Sequence, residues 1–257
     1  MKIDGMAALV TGAGSGMGAA TARYLAERGA KVTLLDRNAK TVADTAKECG
    51  GLALGCDVTD EAAMAAALDQ AAAKHGPTRI LVNCAGVADS GSTVKRSGEM
   101  KPVEQFRRVL DINLTGTWNA MRLAAARLRE AEPLGDPNQP GERGVFVNTA
   151  SVAGLDYPPG AAPYVAAKAG VVALTTALAR EFAGLGIRVM AIAPGLMDTP
   201  MLAGLDANYR AKMTEGVPFP KRFGRPDEFA RLVGEMIGNG MLNGSTVRLD
   251  AALRLIV

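Results

Sequence analysis

One histidine, three cysteines, one tryptophan and few aromatics of any kind among 257 residues remove several classes of protein at the outset. Metal sites are built mainly from clustered Cys, His and acidic groups. Cys49, Cys56 and Cys84 form no CxxC pair and His75 has no second histidine to join, so no metal is expected. Their odd number also argues against a disulfide framework, and three reduced, mostly buried thiols fit a cytoplasmic protein. His75, ending a helical stretch at Lys-His-Gly-Pro, reads as a surface residue suited to the negative end of the helix dipole. No charged leader with an apolar core opens the chain, and no apolar run reads as a membrane span. Lys and Arg (29) nearly balance Asp and Glu (26) for a net charge of +3, without a basic run or interleaved aromatics. Nucleic acid and anionic membrane are therefore poor partners, and a small-molecule substrate is the better expectation.

What the sequence has in quantity is glycine (30 residues) and alanine, a composition for tight turns and close helix–sheet packing. Strand-length apolar runs recur at 6–12, 31–36, 51–57, 79–86, 144–151, 187–195 and 245–250, with helical stretches at 17–28, 38–48, 59–75, 103–130, 162–184 and 226–238. That alternation predicts an α/β protein whose parallel sheet carries helices on both faces. No linker, repeat or low-complexity tract divides it, so one domain over 1–257 is expected. Two loops are long. Residues 89–102 follow the fourth strand and leave from the carboxyl edge, where ligands bind in open α/β sheets. Residues 129–143 lead into the fifth strand from the opposite edge and serve either packing between subunits or no function.

The turn TGAGSGMG (11–18) joins the first strand to the first helix. GxGxxG fails because Met17 occupies the third glycine position, and the P-loop fails for want of the lysine and hydroxyl. What fits is Gly12-x3-Gly16-x-Gly18: a tight turn, then glycines that admit a pyrophosphate to the backbone and to the helix N-terminus. Glycines also mark ordinary strand–helix turns. Asp36, ending the second strand 18 residues after Gly18, strengthens the cofactor reading, because a carboxylate there accepts hydrogen bonds from adenosine ribose hydroxyls and repels a 2′-phosphate. Arg37 beside it pulls the other way, with Asp36 expected to dominate by position. Asp57 suits either the adenine end or the N-cap of the next helix.

Tyr164 and Lys168 are four apart and share one helix face, while Ser151 ends the preceding strand. A phenol ionises near pH 10 and is a poor base at neutrality; a lysine one turn away is expected to favour the phenolate. Ser151 would bind the substrate oxygen while Tyr164 exchanges its proton as a hydride moves. Asn113, with Thr115, Gly116 and Thr117 inside the long fourth helix, predicts a local bend. Its amide either holds a water chain to Lys168 or is a satisfied buried group.

Together these residues resemble the short-chain dehydrogenase/reductase family, from about Met6 to the C-terminus. The resemblance is carried by TGAGSGMG (11–18), NCAG (83–86), Asn113, Ser151, Tyr164, Lys168 and Pro194-Gly195. It implies a seven-stranded parallel Rossmann sheet and a catalytic tetrad of Asn113, Ser151, Tyr164 and Lys168, with Tyr164 as acid/base and Lys168 on the nicotinamide ribose. FRRVLDINLTGTWNAMRLAA (106–125), GERGVFVNTASVAG (141–154), GIRVMAIAPGLMDTPML (186–202) and VPFPKRFGRPDEFA (217–230) are similar to the branch of 3-hydroxyacyl-CoA and hydroxysteroid dehydrogenases. That resemblance implies an acyl-CoA thioester as substrate and a homotetramer. It also implies NAD contacts from Gly12, Ser15, Gly16, Met17, Gly18, Asp36, Asp57, Val58, Asn83, Cys84, Ala85, Gly86, Tyr164, Lys168, Pro194, Gly195, Met197 and Thr199. Cys84, where many relatives carry asparagine, is a packing and backbone-contact position, since no histidine accompanies it as a base. Ala251 departs from the family's usual glycine, and residues 197–219 are expected to form the substrate lid. The competing readings are a 3-oxoacyl carrier-protein reductase, a general secondary-alcohol dehydrogenase and a non-catalytic NAD(H) sensor. Asp36 leans against the first, and the Ser151–Tyr164–Lys168 set against the last.

Overall fold

A computed structural model describes residues 1–136, 140–203 and 206–255. Among them the seven apolar runs become seven strands of one parallel sheet, ordered β3-β2-β1-β4-β5-β6-β7. The strands are β1 (Ala7–Thr11), β2 (Lys31–Asp36), β3 (Leu52–Gly55), β4 (Ile80–Asn83), β5 (Gly144–Thr149), β6 (Ile187–Pro194) and β7 (Thr246–Leu249). β1, β4, β5 and β6 are buried along their whole length, which is why they read as continuous apolar runs rather than alternating ones.

The helices are α1 (Gly16–Ala26), α2 (Ala39–Cys49), α3 (Glu61–His75), α4 (Val103–Leu110), α5 (Gly116–Leu128), α6 (Ala153–Asp156), α7 (Ala162–Glu181), α8 (Pro200–Ala203), α9 (Ala207–Glu215) and α10 (Pro226–Gly238). Leu25 of α1, Val42 of α2 and Phe229 and Val233 of α10 pack on one face of the sheet with Val10 and Val82. Met64 of α3, Met121 of α5 and Leu178 of α7 cover the other with Leu9, Leu81 and Phe146. The order reverses between β1 and β4, and the crevice at such a switch point lies outside the carboxyl ends of those two strands.

Three sequence expectations change. The helix expected over 103–130 is interrupted by a π-helical turn, Asp111–Thr115, which is the bend that Asn113 and its neighbours foreshadow. The stretch Ala162–Leu185 does have the length and apolarity of a membrane span; it packs as α7 against β6, α4 and α6. His75 does not behave as a free surface cation: burial, with Lys74 and Lys31 nearby, lowers its pKa, and its Nε2 is enclosed without a partner.

Of the two long loops, 89–102 stands at the carboxyl edge as expected. It closes on itself through the Val94–Met100 bridge and is tied down by Lys101, whose Nζ lies 2.5 Å from the buried carboxylate of Asp89. In the second loop, residues 137–139 lie outside the described residues. Glu142 gives that loop a role within the chain, its Oε1 accepting from Arg188 Nε at 2.8 Å in a buried pair.

Candidate active site

The cleft at the switch point is built first by close approach of backbone. Gly12 has φ +65°, and a Cβ there would lie 2.7 Å from the Ala85 nitrogen. Thr11 Oγ1 pulls the exit of β4 onto this turn, accepting from the N–H groups of Cys84 and Ala85, both at 3.2 Å. A Cβ on Gly18 would collide with the carbonyl oxygen of Gly12, so α1 sits directly against the turn. Ser15 occupies the N-cap of α1 without a side-chain capping bond, leaving its hydroxyl and the positive helix end toward the cleft. At the end of β2, Asp36 Oδ2 accepts from Gly14 N at 3.1 Å and Oδ1 from Asn38 N at 3.0 Å. Its carboxylate is thereby oriented, with lone pairs left for a ligand.

Asp57 lines the same crevice, but its second reading passes to a neighbour. The N-cap of α3 is Asp60, whose Oδ1 accepts from Ala63 N at 2.9 Å. Asp57 instead accepts from Thr59 N and Oγ1 at 2.9 and 2.8 Å, bonds that, with Arg37 nearby, hold its carboxyl below the usual range.

Met17, Cys84, Gly86, Val87, Thr199 and Met201 line both this cradle and a neighbouring cavity of about 230 Å³, so the two form one continuous cleft. The second half holds Ser151, Tyr164 and Lys168, with Pro194, Gly195 and Met197 from the end of β6 and the segment after it. Ser151 Oγ accepts from Ala153 N at 3.1 Å, and its hydroxyl lies in the same cavity as the Tyr164 phenol, whose pKa it lowers. Lys168 is 5 % exposed; its Nζ donates to Thr149 O at 2.7 Å and lies 5.8 Å from the centre of the Tyr164 ring.

The electrostatics differ from the sequence expectation. Burial raises the Tyr164 pKa, with the Ser151 hydroxyl opposing it, and burial pushes Lys168 down to about 8. Enclosure penalises both charged forms, and the ammonium is turned to the Thr149 carbonyl rather than to the phenol oxygen. Cys84 is a packing thiol, pushed up to about 11 by burial.

Two expected site residues do not line the cleft. The Asn83 side chain faces into the sheet layer, donating from Nδ2 to Asn148 Oδ1 at 2.9 Å, while Asn148 continues to Thr175 at 3.2 Å. The strand period sends Asn83 to the face of Leu81 and leaves only its successors, Cys84 to Gly86, at the cleft. Asn113 is fully buried; its Oδ1 accepts from Val87 N at 2.7 Å and its Nδ2 donates to Val87 O at 2.9 Å. Of its two readings, the satisfied amide describes these bonds. Its Oδ1 and Lys168 Nζ nevertheless converge, lying 3.1 and 3.7 Å from where a Cβ on Gly86 would stand.

Of the stretch 197–219 expected as the lid, residues 204–205 lie outside the described residues, and Met197, Met201, Leu202 and Met213 wall the cavity. Unforeseen are Leu253 and Leu255 on the same wall, since nothing in Leu-Arg-Leu after the last strand indicates that the chain turns back.

This arrangement defines a class. A dinucleotide cradle runs into a cavity holding Ser, Tyr and Lys, and the sequence profile described as short chain dehydrogenase matches residues 6–210. The chain belongs to the short-chain dehydrogenase family, oxidoreductases acting on CH–OH groups with a nicotinamide cofactor. Within it, the chain is 44% identical to 3-hydroxyacyl-CoA dehydrogenase type-2 of Drosophila melanogaster, covering 99% of each. It is 43% identical to the Homo sapiens protein of that name, covering 99% of this chain and 97% of the relative. The solved 3-hydroxyacyl-CoA dehydrogenase type-2 from Mycobacterium avium superposes with a TM-score of 0.91 at 40% identity, over 97% of this chain and 96% of that one. A 3-ketoacyl-(acyl-carrier-protein) reductase from Brucella melitensis, complexed with NADH, gives 0.83 at 31% identity over 97% and 98%.

Proposed function

We propose that this protein is an NAD-dependent 3-hydroxyacyl-CoA dehydrogenase, interconverting a 3-hydroxyacyl and a 3-oxoacyl thioester. The observation that carries the reading is the convergence of Ser151, Tyr164 and buried Lys168 on one largely apolar cavity continuous with the glycine cradle. Full-length identity to relatives of that name supports the substrate class.

The cradle fits a dinucleotide, because the space denied to side chains at Gly12 and Gly18 admits a pyrophosphate at the α1 N-terminus, and the anchored Asp36 carboxylate suits ribose hydroxyls. A nicotinamide held there would supply the hydride acceptor or donor for the substrate carbon. Ser151 donates to the substrate oxygen. Tyr164, kept neutral by burial, delivers its phenolic proton to that oxygen on reduction and recovers it on oxidation. Lys168, mostly protonated below about pH 8, supplies positive charge beside the phenol as the proton leaves. Asn113 holds the Val87 backbone and so shapes the cleft at Gly86. Asp36 favours NAD over NADP by repelling a 2′-phosphate, and Arg37, close enough to lower the pKa of Asp57, does not offset it. Half-exposed Phe106 and Trp118 on α4 and α5 support a homo-oligomer, for which a tetramer is the expected mass in light scattering.

The test follows NADH and NADPH absorbance with acetoacetyl-CoA, acetoacetyl carrier protein and simple ketones. Acetoacetyl-CoA with NADH is expected to react fastest. Preference for NADPH overturns the role of Asp36, preference for the carrier-protein thioester makes the protein a reductase of that class, and activity on ketones alone removes the acyl-CoA assignment. Tyr164→Phe should retain NADH binding and lose about 10²- to 10⁴-fold in turnover.

A further inference from the structure

β7 ends at Leu249, and the chain reverses through Ala251 and Ala252, both at positive φ (52° and 63°). The reversal brings Leu253 and Leu255 to the cavity that holds Ser151 and Tyr164. No strand pairing or helix holds residues 253–255 there. Locally, Leu253 N donates to Asp250 O at 2.9 Å and Arg254 Nη1 to Asp250 Oδ2 at 3.1 Å, but the tie to the rest of the fold runs through the Arg248 guanidinium. Arg248 donates from Nη1 and Nη2 to Asp156 Oδ1 and Oδ2 at 2.7 and 2.9 Å. Its Nη2 also donates to Leu253 O at 2.8 Å, and its Nε to Asp250 Oδ2 at 2.6 Å. Asp156 Oδ2 accepts in turn from Leu255 N at 3.0 Å. Side-chain exposure is 23% for Arg248 and 8% for Asp156, so the pair is shielded from much of the screening that weakens surface pairs. Asp156 closes α6, the short helix that starts two residues after Ser151. One planar fork, a geometry lysine cannot supply, thus joins α6, the last strand and the tail.

We infer that the Arg248–Asp156 clamp holds the C-terminal tail as a fixed wall of the substrate cavity, so that Leu253 and Leu255 limit the acyl chain accepted and Arg248 acts as a positioning residue. Ser151 and Tyr164 are carried by the end of β5 and by α7, so releasing the tail leaves the reacting groups in place and opens the far wall. A short substrate then loses little, and a long one gains room. The inference rests on the proposed thioester site, but the same wall would meet the chain of any extended ketone.

The experiment uses the intact chain and the variants Arg248→Met, Arg248→Lys, Asp156→Asn and Leu255→Ala. Each is assayed with acetoacetyl-CoA and 3-oxododecanoyl-CoA, and in parallel with 2-butanone and 2-decanone, with NADH. The ratio of kcat/KM for the long over the short member should rise about tenfold in Arg248→Met and Leu255→Ala, mainly through KM, a size typical of changes in an apolar pocket. Arg248→Lys should resemble Arg248→Met rather than the parent, and NADH dissociation constants should stay within about twofold, as expected where no cofactor contact is touched. A parallel fall for long and short members, with NADH binding intact, overturns the clamp. So does an unchanged length profile in Leu255→Ala, which does not depend on how well the Arg248 variants fold. If the parent reduces 2-alkanones but no thioester, the proposed function fails and the clamp is judged on the alkanones. If the parent reduces thioesters and the profile does not move, the clamp alone fails.

Discussion

Replacing Lys168 by methionine should change how stability depends on pH, in a direction set by burial. In the folded protein the ammonium is 5 % exposed and its pKa falls from 10.5 to about 8. Below about pH 8 the lysine is protonated in both states, and the folded state carries the full penalty of enclosing the charge. At about 1.4 kcal/mol for each tenfold change in protonation equilibrium, that penalty is about 3 kcal/mol. Between about pH 8 and 10.5 the unfolded chain keeps a proton that the folded chain has released, so this contribution makes the protein more stable as pH rises. Cys84, pushed up to about 11, and Tyr164, also raised by burial, have the opposite sign. They ionise first in the unfolded chain, so their contributions fall as pH passes their ordinary values of 9.0 and 10.0. Urea unfolding of wild type and Lys168→Met, measured without cofactor from pH 7 upward, removes from the difference the Tyr164 contribution and most of that of Cys84, whose pKa Lys168 itself lowers. That difference, wild type minus variant, should climb by about 3 kcal/mol between neutrality and pH 10.5. Near pH 7 the two proteins should be of similar stability, because the variant escapes the penalty but leaves the Thr149 carbonyl without its donor at 2.7 Å, itself a loss of about 1–3 kcal/mol. A flat difference, or one that falls with pH, refutes the burial argument.

Ala251→Gly should stabilise the protein by about 1 kcal/mol in urea unfolding, because φ of 52° burdens a side chain with left-handed strain that glycine lacks; a destabilised variant contradicts this. Asn83→Ala should lower stability by about 1–3 kcal/mol by orphaning Asn148 Oδ1, with NADH affinity unchanged. A tenfold loss of NADH affinity at unaltered stability would return Asn83 to the cofactor site. Gly12→Ala combines positive φ with a Cβ 2.7 Å from backbone, so a loss above about 2 kcal/mol, together with weakened NADH binding, is expected from calorimetry and fluorescence titration. Wild-type stability in that variant would mean that the turn has room the structure denies.

Local chemistry carried much of this protein into view before any coordinates. Strand-length runs bounded by Gly and Asp located all seven strands, β2 at its observed limits. The small and polar residues around Asn113 marked the π-helical turn. The pairing of a glycine turn with Asp36, and of Ser151 with Tyr164 and Lys168, picked out residues that line one cleft. Such features depend on backbone period, turn geometry and spacing along the chain, and these are properties of the sequence alone. What needed the tertiary structure was the environment each side chain meets. Asn83 and Cys84 are neighbours in a matching motif, yet pleating sends one into the sheet layer and the other to the cleft. The Tyr164–Lys168 spacing places both on one helix face, but burial in the folded chain reverses the expected shift of the phenol. Leu253 and Leu255 line the cavity where Arg248 meets Asp156, 92 residues away. Sequence spacing specifies which groups share an element, whereas burial and long-range ion pairing depend on what the rest of the chain brings against it, and those contacts decide the protonation and the wall of this site.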